Sequence, residues 1–328
     1  MTAGIVAYNG ERHYAEAIES LLDQTYPVSE LLLIVDGAST DRTLEIAQGY
    51  AERDPRVRVL EVAHCNIPTK LARVVTEAKG EWIAFLDSDD IALPHRIERC
   101  VAASQQRPDV VAWFGWTWQI RSDGRRFRMI CHGPTDEHQF AALRRDHDIP
   151  IFDHGTGLFR RDALLAAGNY DPAIGVVADY DIVDRLCDIG LMLTIPEPLS
   201  EYRLHGANNS FTNFELQSKQ FGYLWLRRAA KDRGELFPSF EGFVARPPTE
   251  SRLQQWSFKT RERSRFYWNA TAVHFACDRR AQALMAASMS ILWNPRSVGV
   301  RLWRNYLRPR LRRRLPARLA RRRGATSP

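Results

Sequence analysis

Gly80-Glu81-Trp82-Ile83-Ala84-Phe85-Leu86-Asp87-Ser88-Asp89-Asp90 is the stretch on which the reading of this chain turns. Trp82 to Leu86 is a short apolar run of the kind that forms a strand buried on both faces. It delivers three carboxylates, Asp87, Asp89 and Asp90, to its carboxyl end. Hard divalent cations such as Mg²⁺ and Mn²⁺ take carboxylate oxygens and commonly share them with substrate phosphates. The competing reading is that Asp89 or Asp90 only caps the helix at Pro94. Placement at a strand end favours chemistry.

Working outward, Ala3 to Ala7, Leu31 to Val35 and Val57 to Val62 are further apolar runs. Helical spacing lies between them, in Tyr14-Ala17-Ile18-Leu21-Leu22, in Leu44-Ala47 with Ala51, and over Thr69 to Ala78. Ser39-Thr40-Asp41 supplies capping oxygens for the second helix. Strands joined by helices predict a parallel sheet with right-handed crossovers, whose ligands bind at the carboxyl ends of the strands. Val35-Asp36-Gly37-Ala38-Ser39-Thr40-Asp41 sits at such an end. It reads either as a ligand loop, with Asp36 accepting from a base or ribose, or as an ordinary turn.

Beyond Asp90 a helix is expected after Pro94, then a strand over Val110 to Ile120 turning at Ser122-Asp123-Gly124 into Arg126 to Ile130. Gly155 to Phe159 is a further short strand, and Asp162 to Ala167 a helix capped at Gly168. Past Asn208 the pattern is helical, with breaks at Pro238, Pro247-Pro248 and Pro295. Trp113, Phe114, Trp116 and Trp118 offer a platform for a sugar face or an apolar core face, and the core reading is preferred for at least two of them.

Composition bounds the rest. With 328 residues, 45% hydrophobic and 26% charged, the chain is globular and long enough for about two domains. No signal-peptide pattern opens it, and its longest apolar run, Ala281 to Trp293, is shorter than the ~20 residues a bilayer requires. Five scattered cysteines without a CxxC pair suit a reduced cytoplasm, and His64-Cys65 and Cys131-His132 lack zinc spacing. The net charge of +7 is uneven. Arg279 onward carries 14 arginines and no acid, so the preceding 278 residues carry −7. Such a tail seeks a polyanion. Trp303, Leu302, Leu307, Leu311 and Leu315 among these arginines favour the face of an anionic membrane. Nucleic acid is set aside, because no zinc finger or aromatic RNA-binding signature accompanies the basic residues.

Taken in order, the motifs resemble the family-two glycosyltransferases, which have the GT-A fold. The resemblance runs from about Gly4 to Ser210. It is carried by Val6-Ala7-Tyr8-Asn9, by Ser20 to Pro27, by Leu33 to Asp41, by Asn66 with Ala72-Arg73, and by Gly80 to Asp90. His154-Gly155-Thr156-Gly157-Leu158-Phe159-Arg160, Gly168-Asn169-Tyr170-Asp171, Ala178-Asp179-Tyr180-Asp181 and Tyr202-Arg203-Leu204-His205 complete it. It implies an α/β chain with a Rossmann-like, mostly parallel sheet flanked by helices. Residues 1–120 would form the half that binds a nucleotide sugar, 121–210 the acceptor half, and 211–328 a helical carboxyl-terminal extension with the Arg-rich tail.

The resemblance further implies roles. Tyr8 and Asp36 would flank the nucleotide base, Arg73 would lie along the donor, and Asp87 would contact ribose or metal. Asp89 would ligate Mn²⁺ or Mg²⁺, with His205 completing the metal or diphosphate site. Asp179 is preferred as catalytic base, with Asp181 the alternative. Gly37, Ala7 and Val74 replace an aspartate, a threonine and an asparagine frequent in the family, and Ala178 removes the base's acidic neighbour, so uridine diphosphate is only the default nucleotide. The implied activity is metal-dependent, inverting transfer of a single sugar from a nucleotide diphosphate to a saccharide or lipid-linked acceptor. The expected setting is cell-surface polysaccharide or glycolipid synthesis at the inner face of the membrane. Transmembrane helices and the QxxRW motif of processive synthases are missing from the sequence. Two rivals remain: a sugar-1-phosphate nucleotidyltransferase, and a non-catalytic RNA- or lipid-binding protein that uses the tail.

Overall fold

A computed structural model describes residues 1–145, 148–205, 213–245, 252–295 and 298–299. Residues 1–247 form one compact unit and 248–328 a second. In the first, β1 (Thr2–Ala7), β2 (Glu30–Asp36), β3 (Val57–Val62) and β4 (Trp82–Asp87) pair in parallel in the order β3-β2-β1-β4. They are connected by α1 (Tyr14–Leu22), α2 (Thr43–Arg53) and α3 (Ile67–Glu77). Alternation along β2 sends Leu31, Leu33 and Val35 to the face covered by α1 and α2, and Leu32 and Ile34 to the face covered by α3. Both faces are therefore apolar, which is why the strand reads as one unbroken run. Gly4 in β1 permits the close approach of α3: a Cβ there would stand 2.4 Å from Cγ1 of Val74. The Asn66 side chain caps α3 by accepting from the Thr69 N–H, as befits a residue just ahead of Pro68.

After β4 the sheet becomes mixed. β5 (Ile91–Ala92) and α4 (Arg96–Gln106) precede β6 (Val110–Ile120), which turns into β7 (Arg126–Ile130) as expected. α5 (Glu137–Arg145), β8 (Leu158–Arg160), α6 (Arg161–Ala166), α7 (Ala178–Leu186) and β9 (Leu191–Arg203) follow. β8 is antiparallel to both β4 and β6, so it joins the parallel half to the rest, and β9 runs parallel to β6. The sequence pattern did not announce β9, because Pro196 and Pro198 interrupt it. Both prolines fall where the register with β6 slips, between the pairs Gly115–Ile195 and Trp116–Pro198. A strand tolerates residues without an N–H donor at such bulges. The predicted strand from Gly155 begins later, at Leu158, since His154–Thr156 forms a 3₁₀ turn.

The first unit continues past residue 210. α8 (Phe214–Asp232) lays Phe221, Tyr223 and Leu224 into the same core as Ile182, Val183 and Leu186 of α7, and α9 (Phe240–Val244) follows. Arg228 of α8, 2% exposed, meets Asp184 at 2.6 Å and Asp188 at 2.9 Å. Helices placed in the extension by sequence thus belong to the main body, because an apolar face and a buried ion pair hold them there. In the second unit, α10 (Arg252–Ala276) and α11 (Arg280–Trp293) pack together. Reciprocal bonds join them: Ser264 Oγ donates to the Ser290 carbonyl at 2.9 Å, and Ser290 Oγ to the Ser264 carbonyl at 2.7 Å. The break between them carries no proline; Asp278 turns the chain with φ of 56°. Among the described residues no helix is long and apolar enough to cross a membrane. The Arg-rich tail beyond residue 300 lies outside the described residues.

Removing one partner of a buried ion pair strands the other charge. Arg228→Ala is therefore expected to cost about 3–5 kcal/mol of unfolding free energy, read as a lower midpoint in guanidinium denaturation.

Candidate active site

A cavity of about 1020 Å³ opens at the carboxyl ends of β1 and β4. Val6, Ala7 and Tyr8 line it from β1, and Asp87, Ser88 and Asp89 from β4. Asn66 to Pro68, Lys70 and Leu71 enter from the start of α3, Thr117 and Gln119 from β6, and Asp153 to Gly155 from the 3₁₀ turn. Ala178, Asp179 and Tyr180 come from the start of α7. The fold brings these residues, spread from Val6 to Tyr180 along the sequence, to one mouth.

The carboxylates crowd one another. Asp87 opens onto the cavity, yet the protein around it raises its carboxyl toward neutrality, and the charges of Asp89, Asp153 and Asp179 add to this. Burial likewise pushes Asp179 up to about 7. Asp90 is driven well above the usual carboxylate range by burial and then by Asp89 and Asp87. It accepts a 2.9 Å hydrogen bond from the Arg203 N–H, which keeps it beneath the cavity as an anchor between β4 and β9. His205 Nε2 lies 2.7 Å from Asp89 Oδ2. His154 Nε2 pairs with the Tyr170 hydroxyl at 2.7 Å, and burial lowers His154 to about 3, so its ring is neutral at ordinary pH.

At the other end, Asp36 is wholly buried. Burial alone would raise it, but Lys70, the Ala38 N–H and His64 hold it at about 2. Its oxygens are thus engaged by Lys70 Nζ and, at 3.1 Å, by His64 Nδ1. Lys70 Nζ also stands 5.5 Å above the Tyr8 ring, and Tyr8 and His64 rings lie 5.4 Å apart. Tyr8, His64 and Lys70 form the wall that the cavity presents, and Asp36 supports it from below.

Four expected placements change. Asp36, expected to flank the nucleotide base, is wholly buried behind the cavity wall. Arg73 is not part of the cavity wall: it points outward from α3, is half exposed and pairs with Glu77 at 2.9 Å. Lys70, one turn earlier, holds the inward position. Asp181 is also directed away, because residues two apart on α7 cannot share a face. It is fully buried and ion-paired with Arg185 and, at 2.7 Å, with Arg227. His205 does not complete a three-ligand metal set with Asp87 and Asp89; among the described residues no three His, Cys, Asp or Glu side chains gather that way. Its ring nitrogen is taken by the hydrogen bond that orients Asp89.

Sequence reasoning missed Lys70, Asp153, His132 and the pair Thr117 and Gln119, all of which line the cavity. Period-two alternation in β6 could have found the last pair: with Trp116 and Trp118 on one face, Thr117 and Gln119 take the other. None of the four aromatic residues of β6 lines the cavity. Trp113 and Phe114 are buried in the core, and Arg126 lies over the Trp118 ring at 5.8 Å.

Residues 2–166, just over half of the chain, match the family described as glycosyl transferase family 2. The chain belongs to that family. Chondroitin synthase of Pasteurella multocida (strain Pm70) is 26% identical over 216 residues, covering 66% of this chain and 22% of that protein. An uncharacterized glycosyltransferase of Escherichia coli (strain K12), YibD, is 34% identical over 170 residues, covering 49% of this chain and 48% of that one. The family-two chain thus spans less than half the length of either relative. A mannosyltransferase from Pyrobaculum calidifontis, PcManGT, solved with GDP-Man and Mn²⁺, superposes with a TM-score of 0.54 at 17% identity, over 90% of this chain and 81% of that one. That likeness fixes the fold as GT-A.

A carboxyl whose folded pKa is raised keeps its proton where the unfolded chain has released it. Stability contributed by Asp87 therefore falls as pH rises from the ordinary carboxylate range to neutrality. Asp87→Asn is expected to raise the melting temperature at pH 8, and to change it little at pH 4; thermal unfolding at the two pH values measures the difference.

Proposed function

We propose that the chain transfers a single sugar, with inversion, from a nucleotide diphosphate sugar to a hydroxyl of a saccharide or lipid-linked acceptor. One observation carries this reading. Asp179, a carboxyl pushed up to about 7, opens onto the same cavity as the Asp87 and Asp89 carboxylates. A group near neutrality is suited to accept a proton at physiological pH. In the charged form, Asp179 takes the acceptor hydroxyl's proton as the oxygen attacks the anomeric carbon. Tyr8 and Lys70 orient the nucleotide end of the donor, and Asp36 and His64 hold Lys70 and Tyr8 in place.

Asp87 and Asp89 fit a hard divalent cation. Both are oxygen donors open to the cavity, and two carboxylates leave coordination positions for a diphosphate and water, as Mg²⁺ and Mn²⁺ sites commonly do. Such a cation, when bound, offsets the negative charge that grows on the departing diphosphate. His205 acts through Asp89. The complex of PcManGT with both GDP-Man and Mn²⁺ supports this choice. The proposed setting is the cytoplasmic face of a membrane, where the 14 arginines after residue 278 would meet anionic lipid. Polysaccharide or glycolipid assembly suits that setting.

Asp179→Asn is expected to retain donor binding and to lose transfer by about 10²–10⁴-fold, measured as release of nucleotide diphosphate in a screen of sugar nucleotides with Mn²⁺. Full activity in that variant would remove Asp179 as base. In the unmodified protein, transfer should rise with pH through about 7, since the carboxylate is the active form.

Mn²⁺ with a nucleoside diphosphate should raise the melting temperature, and Asp89→Ala should abolish the increase. An unchanged increase would reject the cation site and favour a non-catalytic binding protein.

A further inference from the structure

α11 is built inside out. Its small residues, Ala283, Ala286 and Ser290, are buried, and Ser290 bonds to α10. Its large apolar residues are on the outside: Leu284 is 71% exposed, Met285 65%, Ile291 50% and Leu292 74%. At 100° per residue these four, with exposed Ala281 and Ser288, fall within one arc of about 120° opposite the buried face. A single exposed leucine is ordinary, but a stripe along about three turns of one helix marks a surface that meets something apolar.

Charge tells what that is. Arg279 and Arg280 open the helix, and the sequence from Arg279 to the end holds 14 arginines and no acid, while the preceding 278 residues carry −7. Fourteen arginines with no acid in the same segment call for a polyanionic surface. A bilayer interface with anionic headgroups answers both features, because apolar side chains reach the acyl boundary while arginines remain at the phosphates. We infer that the Leu284, Met285, Ile291 and Leu292 face of α11 inserts into an anionic membrane surface. This deepens the membrane contact proposed above, and it is independent of the transfer chemistry.

The test is cosedimentation of the full chain with vesicles of phosphatidylcholine alone or mixed with phosphatidylglycerol, at low and high salt. The full chain should bind the mixed vesicles, and less so in high salt. Leu284→Gln with Leu292→Gln keeps every arginine and alters only exposed positions, so the fold should persist by circular dichroism. Its partition should fall at least ~10-fold. Equal sedimentation of this variant and the unmodified chain would overturn the inference, as would failure of the unmodified chain to bind mixed vesicles. Conversion of a dimer to a monomer by the variant would assign the stripe to a second copy and overturn it too. Stabilisation by UDP with Mn²⁺, measured in parallel on both proteins, bears on the transferase reading alone, so the two can fail separately.

Discussion

Five carboxylates share the space beyond the end of β4, and the surrounding architecture is arranged around keeping them there. Asp87, Asp89 and Asp90 come from the strand's exit, Asp153 from the turn before β8, and Asp179 from the start of α7. Burial raises Asp87, Asp90, Asp153 and Asp179, and the charges of neighbouring carboxylates add to this at Asp87, Asp90 and Asp179. Arg96 stands behind them, wholly buried. Its Nη2 donates to the Phe85 carbonyl at 2.7 Å and the Gly157 carbonyl at 2.9 Å, pinning β4 to the turn that carries Asp153. Burial lowers Arg96 to about 10, which still leaves it charged, and Asp153, Asp90 and Asp87 answer that charge through space.

Arg203 is the second restraint. Its backbone N–H is donated to Asp90, its Nε reaches the Asp89 carbonyl at 3.0 Å, and its Nη2 meets Glu16 of α1 at 2.6 Å. One residue at the end of β9 thereby fixes the exit of β4 and the first helix together. A site under electrostatic strain is less stable than a neutral substitute would be, and such strain is commonly found where function requires it. Carboxylates crowded at one mouth bind a cation or a proton readily, which is what the proposed transfer would require.

The opposite wall follows another rule. Asp36 is fully buried and low in pKa, so its role is to hold cations in place: Lys70 is bonded to it, with the ring of Tyr8 beside. Buried charges persist only when paired. That constraint makes Lys70, rather than Arg73 near the centre of the motif, the cation that faces the cavity. It likewise closed Asp181 in ion pairs with Arg185 and Arg227 and left Asp179 facing the cavity.

The sequence by itself determined the parallel half of the sheet, because unbroken apolar runs joined by 3.6-period segments admit few other arrangements. It also determined the acidic exit of β4, since three carboxylates at a buried strand's end lie within four residues, and the helical character of residues 214–232, 252–276 and 280–293. Tertiary structure alone decided which side chains of those motifs turn inward. Lys70 or Arg73, and Asp179 or Asp181, differ by less than one helical turn, and only the neighbours packed against each helix distinguish them. β9 was hidden for a related reason: its prolines forbid a regular strand, and only pairing with β6 shows that bulges accommodate them. Asp153, Thr117 and Gln119 carried no motif at all, because their meeting depends on β8 running antiparallel between β4 and β6, a contact between residues distant along the chain.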